Sequence, residues 1–328
     1  MKSLVLGAGG FIGNHMVNRL KSENHYVVAV DLKKPEFSDS LADEFYELDL
    51  TIDSNFHSLF DQHTFNEIYQ YAADMGGAGY IFTGDNDADV MYNSAKINLN
   101  ILNALIQYQD PTKTKIFYSS SACVYPEEIQ MDNKDISLKE DSAYPANPDS
   151  EYGWEKLFSE RLYLSFYKNH GLNVKVARFH NIYGPLGTWT GGKEKAPAAI
   201  CRKVSEASSL NNFEVEIWGD GLQTRSFLYI DDCIEATRRF MNSDFNGPIN
   251  IGSEEMVSIN ELAKIAGEIS GKNISLKHID GPLGVRGRNS NNDLIRETLL
   301  WNYKFSLKQG ISETFKWIDE QVNSLKKS

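Results

Sequence analysis

Short apolar runs alternate with longer helical patterns through the first half of the chain. The runs are rich in β-branched and aromatic residues, which favour strands, and the longer stretches repeat apolar positions at helical spacing. We expect strands at residues 4–6, 26–30, 68–71, 115–118 and 174–178, and helices at 11–21, 90–108 and 151–169. This alternation is typical of a sheet covered by helices on both faces, so the predicted fold class is α/β with a doubly wound parallel sheet.

The pattern changes beyond Gly184. The glycine-rich stretch 187–192 is followed by shorter, more irregular elements, which predicts a second, smaller α/β unit in the C-terminal half. Earlier in the chain, residues 127–150 are polar and punctuated by prolines, and they form a long excursion from the predicted sheet. Loops of this length are uncommon in compact domains and are often functional.

The predicted helix over 151–169 carries apolar side chains on two stripes. One stripe consists of Trp154, Leu157, Phe158, Leu162 and Phe166, and the other of Tyr163, Leu164 and Tyr167. A helix that is apolar on two faces packs against two partners. The second partner is either another part of this chain or a second copy of it; the pattern leaves both open, and a homodimer is our working prediction.

The composition is that of a globular chain with an acidic surface. Its 328 residues are 41% hydrophobic, and 33 Lys and Arg against 45 Asp and Glu give a formal net charge of −12. Such a surface repels phosphate backbones at long range, so we expect neither nucleic-acid binding nor binding to anionic membranes. An anionic ligand would need its positive partners concentrated in one place.

The three cysteines, Cys123, Cys201 and Cys233, are widely spaced and form no metal-ligand pattern. They include no C-x-x-C pair and no Cys/His cluster, so we predict neither a disulfide framework nor a metal site. No apolar run reaches the ~18 residues of a membrane-spanning helix, and the N-terminus has no signal-peptide pattern. We therefore predict a cytoplasmic protein.

Glycines at every third position follow the first predicted strand and open the first predicted helix. Gly7, Gly10 and Gly13 allow a sharp turn, a close approach of the backbone to a pyrophosphate, and tight packing of the helix on the strand. The N-terminus of the helix supplies unpaired N–H groups to the anion. We therefore expect this loop, with Phe11 and Ile12, to bind a dinucleotide.

Acidic residues follow the next two predicted strands. Asp31 ends the second strand, where a carboxylate accepts hydrogen bonds from ribose hydroxyls and repels a 2′-phosphate. This favours NAD over NADP as the cofactor. Asp49 follows a third short run, and we expect it to contact the adenine edge.

A tyrosine and a lysine lie four residues apart on the predicted helix over 151–169. Tyr152 and Lys156 therefore share one face, and an ammonium beside a phenol is expected to lower the pKa of the phenol. Such a tyrosine takes the proton of a hydroxyl while hydride leaves the same carbon for nicotinamide. Ser121 follows a strand at the carboxyl edge, where its hydroxyl is expected to hold the reacting alcohol.

Further motifs stand in a definite order along the second half. They are RFHNIYGP at 178–185, WGDG at 218–221, Asp231 with Asp232, and NIG at 250–252. With the glycine loop, Asp31, the strand-end serine and Tyr152/Lys156, they resemble the extended short-chain dehydrogenase/reductase family of nucleotide-sugar epimerases and dehydratases. The resemblance implies a Rossmann sheet, bound NAD and a nucleotide-sugar substrate.

Longer stretches are similar to one branch of that family, whose members invert carbons 3 and 5 of a GDP-hexose such as GDP-mannose. These stretches lie at 72–77, 120–126, 187–189, 191–199, 223–227, 255–258 and 284–290. The resemblance implies transient oxidation at carbon 4, which acidifies the protons on carbons 3 and 5. It also implies an acid and a base on opposite sides of the sugar ring, and it assigns these roles to Cys123 and Lys195.

The same resemblance, carried over position by position, supplies the substrate contacts. Ser121, Ala122 and Cys123 contact the sugar, and Arg225 and Arg288 hold the nucleotide diphosphate because arginine pairs with phosphate in a bidentate manner. The remaining predicted substrate contacts are Gly76, Asn181, Glu194, Lys195, Ala196, Lys203, Gln223 and Ser226. We expect residues 1–182, rejoined by about 218–250, to bind the dinucleotide, and 183–217 with 251–328 to bind the nucleotide sugar.

Two other functions fit the same motifs. The first is a 4-dehydrogenase or 4-epimerase acting on a GDP-hexose or GDP-heptose, since Ala78 and the long 204–216 segment depart from the branch near the sugar and the base. A 4,6-dehydratase is disfavoured, because its strand-end carboxylates have no counterpart at Ser121–Cys123. The second is a catalytically idle NAD-binding protein, which would have no use for the full set of reactive residues.

Overall fold

A computed structural model describes residues 1–132, 136–281 and 284–326. The strands in these ranges are β1 (Lys2–Leu6), β2 (Tyr26–Asp31), β3 (Glu44–Glu47), β4 (Glu67–Gln70), β5 (Lys115–Ser121), β6 (Asn173–Phe179), β7 (Ile182–Tyr183), β8 (Glu214–Trp218), β9 (Thr224–Ser226), β10 (Leu228–Tyr229), β11 (Ile249–Ile251), β12 (Met256–Ser258), β13 (Ser275–Ile279) and β14 (Gly287–Arg288). The helices are α1 (Phe11–Ser22), α2 (Asp53–Gln62), α3 (Ala78–Ile81), α4 (Asp87–Tyr108), α5 (Glu151–His170), α6 (Ala196–Glu206), α7 (Ile230–Met241), α8 (Ile259–Ser270), α9 (Asp293–Leu299) and α10 (Leu307–Leu325).

The central sheet has seven parallel strands in the order β11-β6-β5-β4-β1-β2-β3. Its inner strands are almost continuously buried, as expected when helices cover both faces of a parallel sheet. The strand order reverses between β1 and β4, and at such a switch point ligands bind outside the carboxyl ends of the strands. The predicted fold class, a doubly wound parallel sheet, is confirmed.

Apolar clusters lie on both faces of this sheet. One cluster joins α1 and α7 to the sheet and continues under α6, α8 and α10, and the other lies beneath α2, α4 and α5. The helices of the first half therefore fall on two layers, as the alternating pattern predicts. No helix in the described ranges has the length and apolar character needed to cross a membrane.

The second half adds small sheets beside the main one. Strands β8 and β13 pair in parallel, and β9 lies between β12 and β14. Helices α6, α8 and α10 pack on one another. The chain nevertheless returns to the main sheet through β11, which pairs with β6.

Most predicted elements are present, with shifted ends. The predicted helix over 90–108 begins at Asp87. Helix α5 ends at His170 and is followed by Gly171, whose φ of +69° is the left-handed conformation that glycine favours after a helix. Helix α2 was not predicted, because its apolar pattern, although at helical spacing, is short. In the excursion over 127–150, the described residues form short 3₁₀ turns and loops; residues 133–135 lie outside the described ranges.

Candidate active site

The glycine loop presses the start of α1 against the sheet. Gly7 has φ +80°, and a Cβ there would lie 2.7 Å from the backbone nitrogen of Ala72, while one at Gly13 would overlap the carbonyl of Gly7. In the described part of the chain no side chain caps α1, and its first turn contains no acidic residue. The N–H groups at Phe11 and Ile12 are thus available to an anion, which fits the pyrophosphate of a dinucleotide.

The two predicted nucleoside contacts lie at the same edge of the sheet. Asp31 Oδ2 accepts from the backbone N–H of Gly9 at 2.9 Å, and Oδ1 accepts from that of Leu32 at 2.7 Å. Burial raises the pKa of the Asp31 carboxyl, and these backbone donors lower it. The backbone N–H groups of Lys33 and Gly10 also act on this carboxylate, which lies where a ribose hydroxyl is expected. Asp49 Oδ1 accepts from the N–H and the hydroxyl of Thr51.

Helix α5 brings Tyr152 and Lys156 to the end of β5. Gly153 makes this possible, since a Cβ there would overlap the carbonyl oxygen of Cys123. The Lys156 ammonium donates to the Ser119 carbonyl at 3.1 Å and lies 5.6 Å from the centroid of the Tyr152 ring. The predicted pair therefore forms one buried group with the strand-end serines.

The expected lowering of the pKa of Tyr152 by Lys156 is not observed. Burial raises the pKa of the phenol, the neighbouring Cys123 adds to this, and a hydrogen bond with Ser121 opposes it. Burial likewise lowers the pKa of Lys156. The sequence prediction considered only the attraction between the ammonium and the phenolate, which lowers the pKa of the phenol. Removal of the phenol from water raises this pKa, and that effect is the larger one here.

Cys123 lies in a turn directly after β5, among positive charges. Arg288 Nη1 donates to its sulfur at 3.1 Å. Lys156, Lys195 and Arg225 also interact electrostatically with this thiol. Reactive cysteines are found in electropositive, partly exposed surroundings of this kind, and Cys123 is half-buried.

Lys195 precedes the first turn of α6 and directs its ammonium into the same group. In the described ranges the ammonium has no hydrogen-bond or ion-pair partner. Burial lowers its pKa, and Cys123 and Cys233 raise it. Lys195 is half-buried, and an amine whose donors are not engaged by the described residues is suited to giving a proton to a ligand.

Two arginines stand side by side on neighbouring strands. Arg225 on β9 and Arg288 on β14 are partners in a parallel register. Arg288 forms a buried ion pair with Asp149, Nη2 to Oδ2 being 2.6 Å. Arg225 donates to the carbonyls of Thr224 and Val285, and burial together with Arg288 lowers its pKa to about 9. The carboxylate of Asp149, which is ion-paired with Arg288, opposes this lowering.

Other predicted substrate contacts surround these arginines. Gln223 donates to the Trp218 carbonyl, but its own buried Oε1 has no partner in the described ranges and fits a donor on a ligand. Asn181, in a left-handed conformation with φ +46°, donates to the Ser226 carbonyl at 2.9 Å. Ala122 is packed in the core under Cys123.

The remaining predicted contacts lie along α6 and its preceding loop. Glu194 pairs with Arg202 at 3.1 Å and accepts from Gly192 N–H, so its carboxylate is already engaged. Ala196 is the first residue of α6, and Lys203 lies about 10 Å further along the axis, at 1.5 Å per residue. Its ammonium donates to the Glu216 carbonyl. Gly76 packs on Tyr80, where a Cβ would lie 2.7 Å from that of the tyrosine.

Sequence reasoning missed the side chains that hold Arg288. Gln130 and Asp149 both come from the excursion over 127–150 and both accept from the guanidinium. The one available signal was the unusual length of that excursion, which pointed to function without identifying a residue.

Comparison with known proteins agrees with this geometry. A model of the NAD dependent epimerase/dehydratase family matches residues 3–252. The chain is 47% identical over 330 residues to the GDP-mannose 3,5-epimerase of Arabidopsis thaliana, covering 99% of this chain and 84% of the relative. The UDP-glucose 4-epimerase of Thermotoga maritima, solved with UDP-glucose, superposes with a TM-score of 0.86 at 26% identity, covering 98% of this chain and 100% of that one.

A second solved structure carries both a cofactor and a substrate. The UDP-glucuronic acid 4-epimerase of Bacillus cereus, in complex with UDP-glucuronic acid and NAD, superposes with a TM-score of 0.80 at 25% identity, covering 98% of this chain and 100% of that one. The family model spans most of the chain, and the curated relative matches nearly all of it. The chain therefore belongs to the NAD dependent epimerase/dehydratase family.

Proposed function

We propose that this chain is a GDP-mannose 3,5-epimerase that uses bound NAD. The observation that carries the proposal is the pairing of two side chains beside Tyr152 and Ser121. One is the Cys123 thiol, which lies among four cations, and the other is the half-buried Lys195 ammonium, which has no hydrogen-bond or ion-pair partner among the described residues. An enzyme that only oxidises and reduces carbon 4 needs the tyrosine and serine alone. The 47% identity to a curated GDP-mannose 3,5-epimerase supports the same substrate and reaction.

Tyr152, Ser121 and Lys156 act at carbon 4 in this proposal. NAD, when bound, accepts the hydride of carbon 4 and later returns it. Ser121 orients the carbon-4 hydroxyl. Burial favours the neutral phenol of Tyr152, so its phenolate, the form that takes a proton, would need the positive charges of Lys156 and of bound NAD. That phenolate takes the hydroxyl proton as the ketone forms and gives it back when the alcohol is restored. Lys156 is held in place by its hydrogen bond to the Ser119 carbonyl, and from there its ammonium supplies positive charge next to the Tyr152 ring.

Cys123 and Lys195 invert the neighbouring carbons. The carbon-4 ketone acidifies the C–H bonds at carbons 3 and 5, because the electron pair left by deprotonation is delocalised onto the carbonyl oxygen. The Cys123 thiolate takes the proton from one face, and the Lys195 ammonium gives a proton to the other. Inversion at both carbons yields GDP-L-galactose, and inversion at carbon 5 alone yields GDP-L-gulose.

The two arginine strands are proposed to bind the diphosphate. Arg225 is a half-buried cation whose guanidinium donates to two backbone carbonyls, and an arriving diphosphate would pair with it through bidentate hydrogen bonds. Asn181 and Gln223 are proposed to line this position, whereas the Ser226 side chain is fully buried and its hydroxyl accepts from the Ser290 N–H. Lys203, two helical turns from Lys195, is at a suitable distance to reach the nucleoside end; Gly76, Glu194 and Ala196 shape the pocket at the sugar end.

We propose that separate parts of the chain bind the dinucleotide and the GDP-sugar, and the fold supports this assignment. Residues 1–182 with about 218–250 would hold the dinucleotide, because β11 joins the main sheet and α7 packs against α1. Residues 183–217 and 251–328 would close over the GDP-sugar, since they carry Lys195, Lys203 and Arg288.

We propose a homodimer through α4 and α5, which pack together and leave large apolar side chains exposed. Tyr92 and Leu99 on α4 and Trp154 and Phe158 on α5 are each at least 39% exposed, whereas Leu157 and Tyr163 are buried. An apolar face of this kind marks an interaction site.

The dimer can be tested by equilibrium sedimentation, which should give twice the chain mass of 37.1 kDa for the wild type. The double variant L99E/F158E should give a monomer. L210E, at a 97% exposed position elsewhere, is the matched control; a monomeric wild type would contradict the proposal.

Isotope exchange separates the proposed function from its alternatives. The purified protein is incubated with GDP-mannose in heavy water, and deuterium at each ring carbon is read by NMR. We expect label at carbons 3 and 5 with the hexose recovered. Inversion at carbon 4 without label, or an accumulating 4-keto sugar, would indicate a 4-epimerase or 4-dehydrogenase. If GDP-mannose is recovered unchanged, it is not the substrate. Parallel incubations with a GDP-heptose and other GDP-hexoses then show whether the protein acts on a different sugar or has no catalytic activity.

A further inference from the structure

The excursion over 127–150 is not needed to build the sheet, yet its two ends meet in the active site. Gln130 ends one of its 3₁₀ turns, and Asp149 lies just before α5. Both contact Arg288, the residue that donates to the Cys123 sulfur. The excursion thus holds the cation nearest the proposed base.

The orientation of the Gln130 side chain is fixed by its surroundings. The residue is fully buried, and its amide nitrogen donates to the carbonyls of Tyr125 at 3.0 Å and Pro126 at 3.1 Å. Because both N–H donors are used there, the amide oxygen must face the other way. It accepts from Arg288 Nε at 2.6 Å.

The guanidinium of Arg288 is held on three sides. Nε donates to Gln130, Nη1 donates to Cys123 Sγ, and Nη2 donates to Asp149. A guanidinium has five N–H donors, so two remain for an oxygen of the substrate. Arg288 can therefore contact the sulfur and the substrate at the same time, provided that its plane does not rotate.

We propose that Gln130 is a positioning residue that keeps Arg288 in contact with the Cys123 sulfur. The inference rests on the proposed function, in which Cys123 is the base. Without the Gln130 acceptor, the guanidinium is free to turn about its ion pair with Asp149, and the thiolate loses its nearest donor. The other groups around the sulfur are then Lys156, Lys195, Arg225 and the Tyr152 phenol.

The test compares the reactivity of Cys123 in wild type and in Gln130→Met, which keeps the length of the side chain and removes the amide. Iodoacetamide alkylation of Cys123 is followed by peptide mass spectrometry across a pH series, because the thiolate is the reactive form. We expect the profile to move to higher pH, with alkylation on its rising limb slower by about tenfold, as for loss of one hydrogen bond to a charged group. Exchange at carbon 5 should fall about tenfold in kcat.

Gln109→Met is the matched control. Gln109 is also buried and its amide is also paired on both sides, with the His63 carbonyl and the Phe65 N–H, but it lies away from the site. It should lose comparable stability and keep the wild-type alkylation profile. If Gln130→Met does not fold, Gln130→Asn retains an amide and withdraws it from Arg288 by one methylene, and the same shift is expected.

An alkylation profile in the folded Gln130 variant that coincides with that of wild type would overturn the inference, whatever the activity. A wild-type enzyme that exchanges no proton at carbons 3 and 5 would instead overturn the proposed function. In that case the alkylation profiles still decide whether Gln130 acts on Cys123.

Discussion

Cys123→Ala is expected to abolish solvent exchange at carbons 3 and 5 while the ketone at carbon 4 still forms. Alanine keeps the small volume of the site but removes the proposed base, and removal of a general base costs up to about 10⁴-fold. Exchange is measured by NMR in heavy water. The ketone is trapped in a parallel sample with borodeuteride, which places deuterium on carbon 4.

Cys201→Ala is the control for this variant, because Cys201 is a buried thiol in α6 whose pKa is raised by burial and which touches no proposed reactive group. It should exchange at the wild-type rate. Exchange in Cys123→Ala within about threefold of wild type would remove Cys123 from the mechanism.

Tyr152→Phe is expected to stop the reaction one step earlier. Without the phenol, no group takes the proton from the carbon-4 hydroxyl, so the ketone does not form and carbons 3 and 5 are not acidified. We expect a loss of about 10³-fold or more both in borodeuteride trapping at carbon 4 and in exchange at carbons 3 and 5. Cys123→Ala should keep the trapping signal that Tyr152→Phe loses. Comparison of the two variants therefore shows that ketone formation at carbon 4 precedes exchange at carbons 3 and 5.

Tyr163→Phe lies on the same helix and serves as the control for the lost hydroxyl. Tyr163 is buried and its phenol donates to Asn98 Oδ1, on the face of α5 that meets α4. It should change stability more than activity. Undiminished trapping at carbon 4 in Tyr152→Phe would show that another group moves this proton.

The fold could be predicted because each of its signals is local. The buried runs of β1, β2 and β5 follow from a few apolar residues in a row, and the glycines of the first loop are required by close backbone approaches. Helix α2 was missed because Phe56, Leu59 and Phe60 give too short an apolar pattern to separate a helix from a loop.

The electrostatics of the site could not be predicted in the same way. The contact between Arg288 and Cys123 joins residues 165 positions apart, and their spacing in the chain does not indicate that they meet. The raised pKa of Tyr152 depends on how completely α5 and the strand-end turn exclude water, which the order of residues does not disclose. The resemblance to a family identified the candidate site residues, and the structure shows which side chains hold them in place.

The central claim is that a transient ketone lets one site invert two carbons, and a single spectrum of the recovered GDP-hexose tests it. After incubation of the wild-type protein with GDP-mannose in heavy water, the account predicts deuterium at carbons 5 and 3 and none at carbon 4. A recovered hexose with an altered configuration at carbon 4 and protium at both neighbours would contradict it.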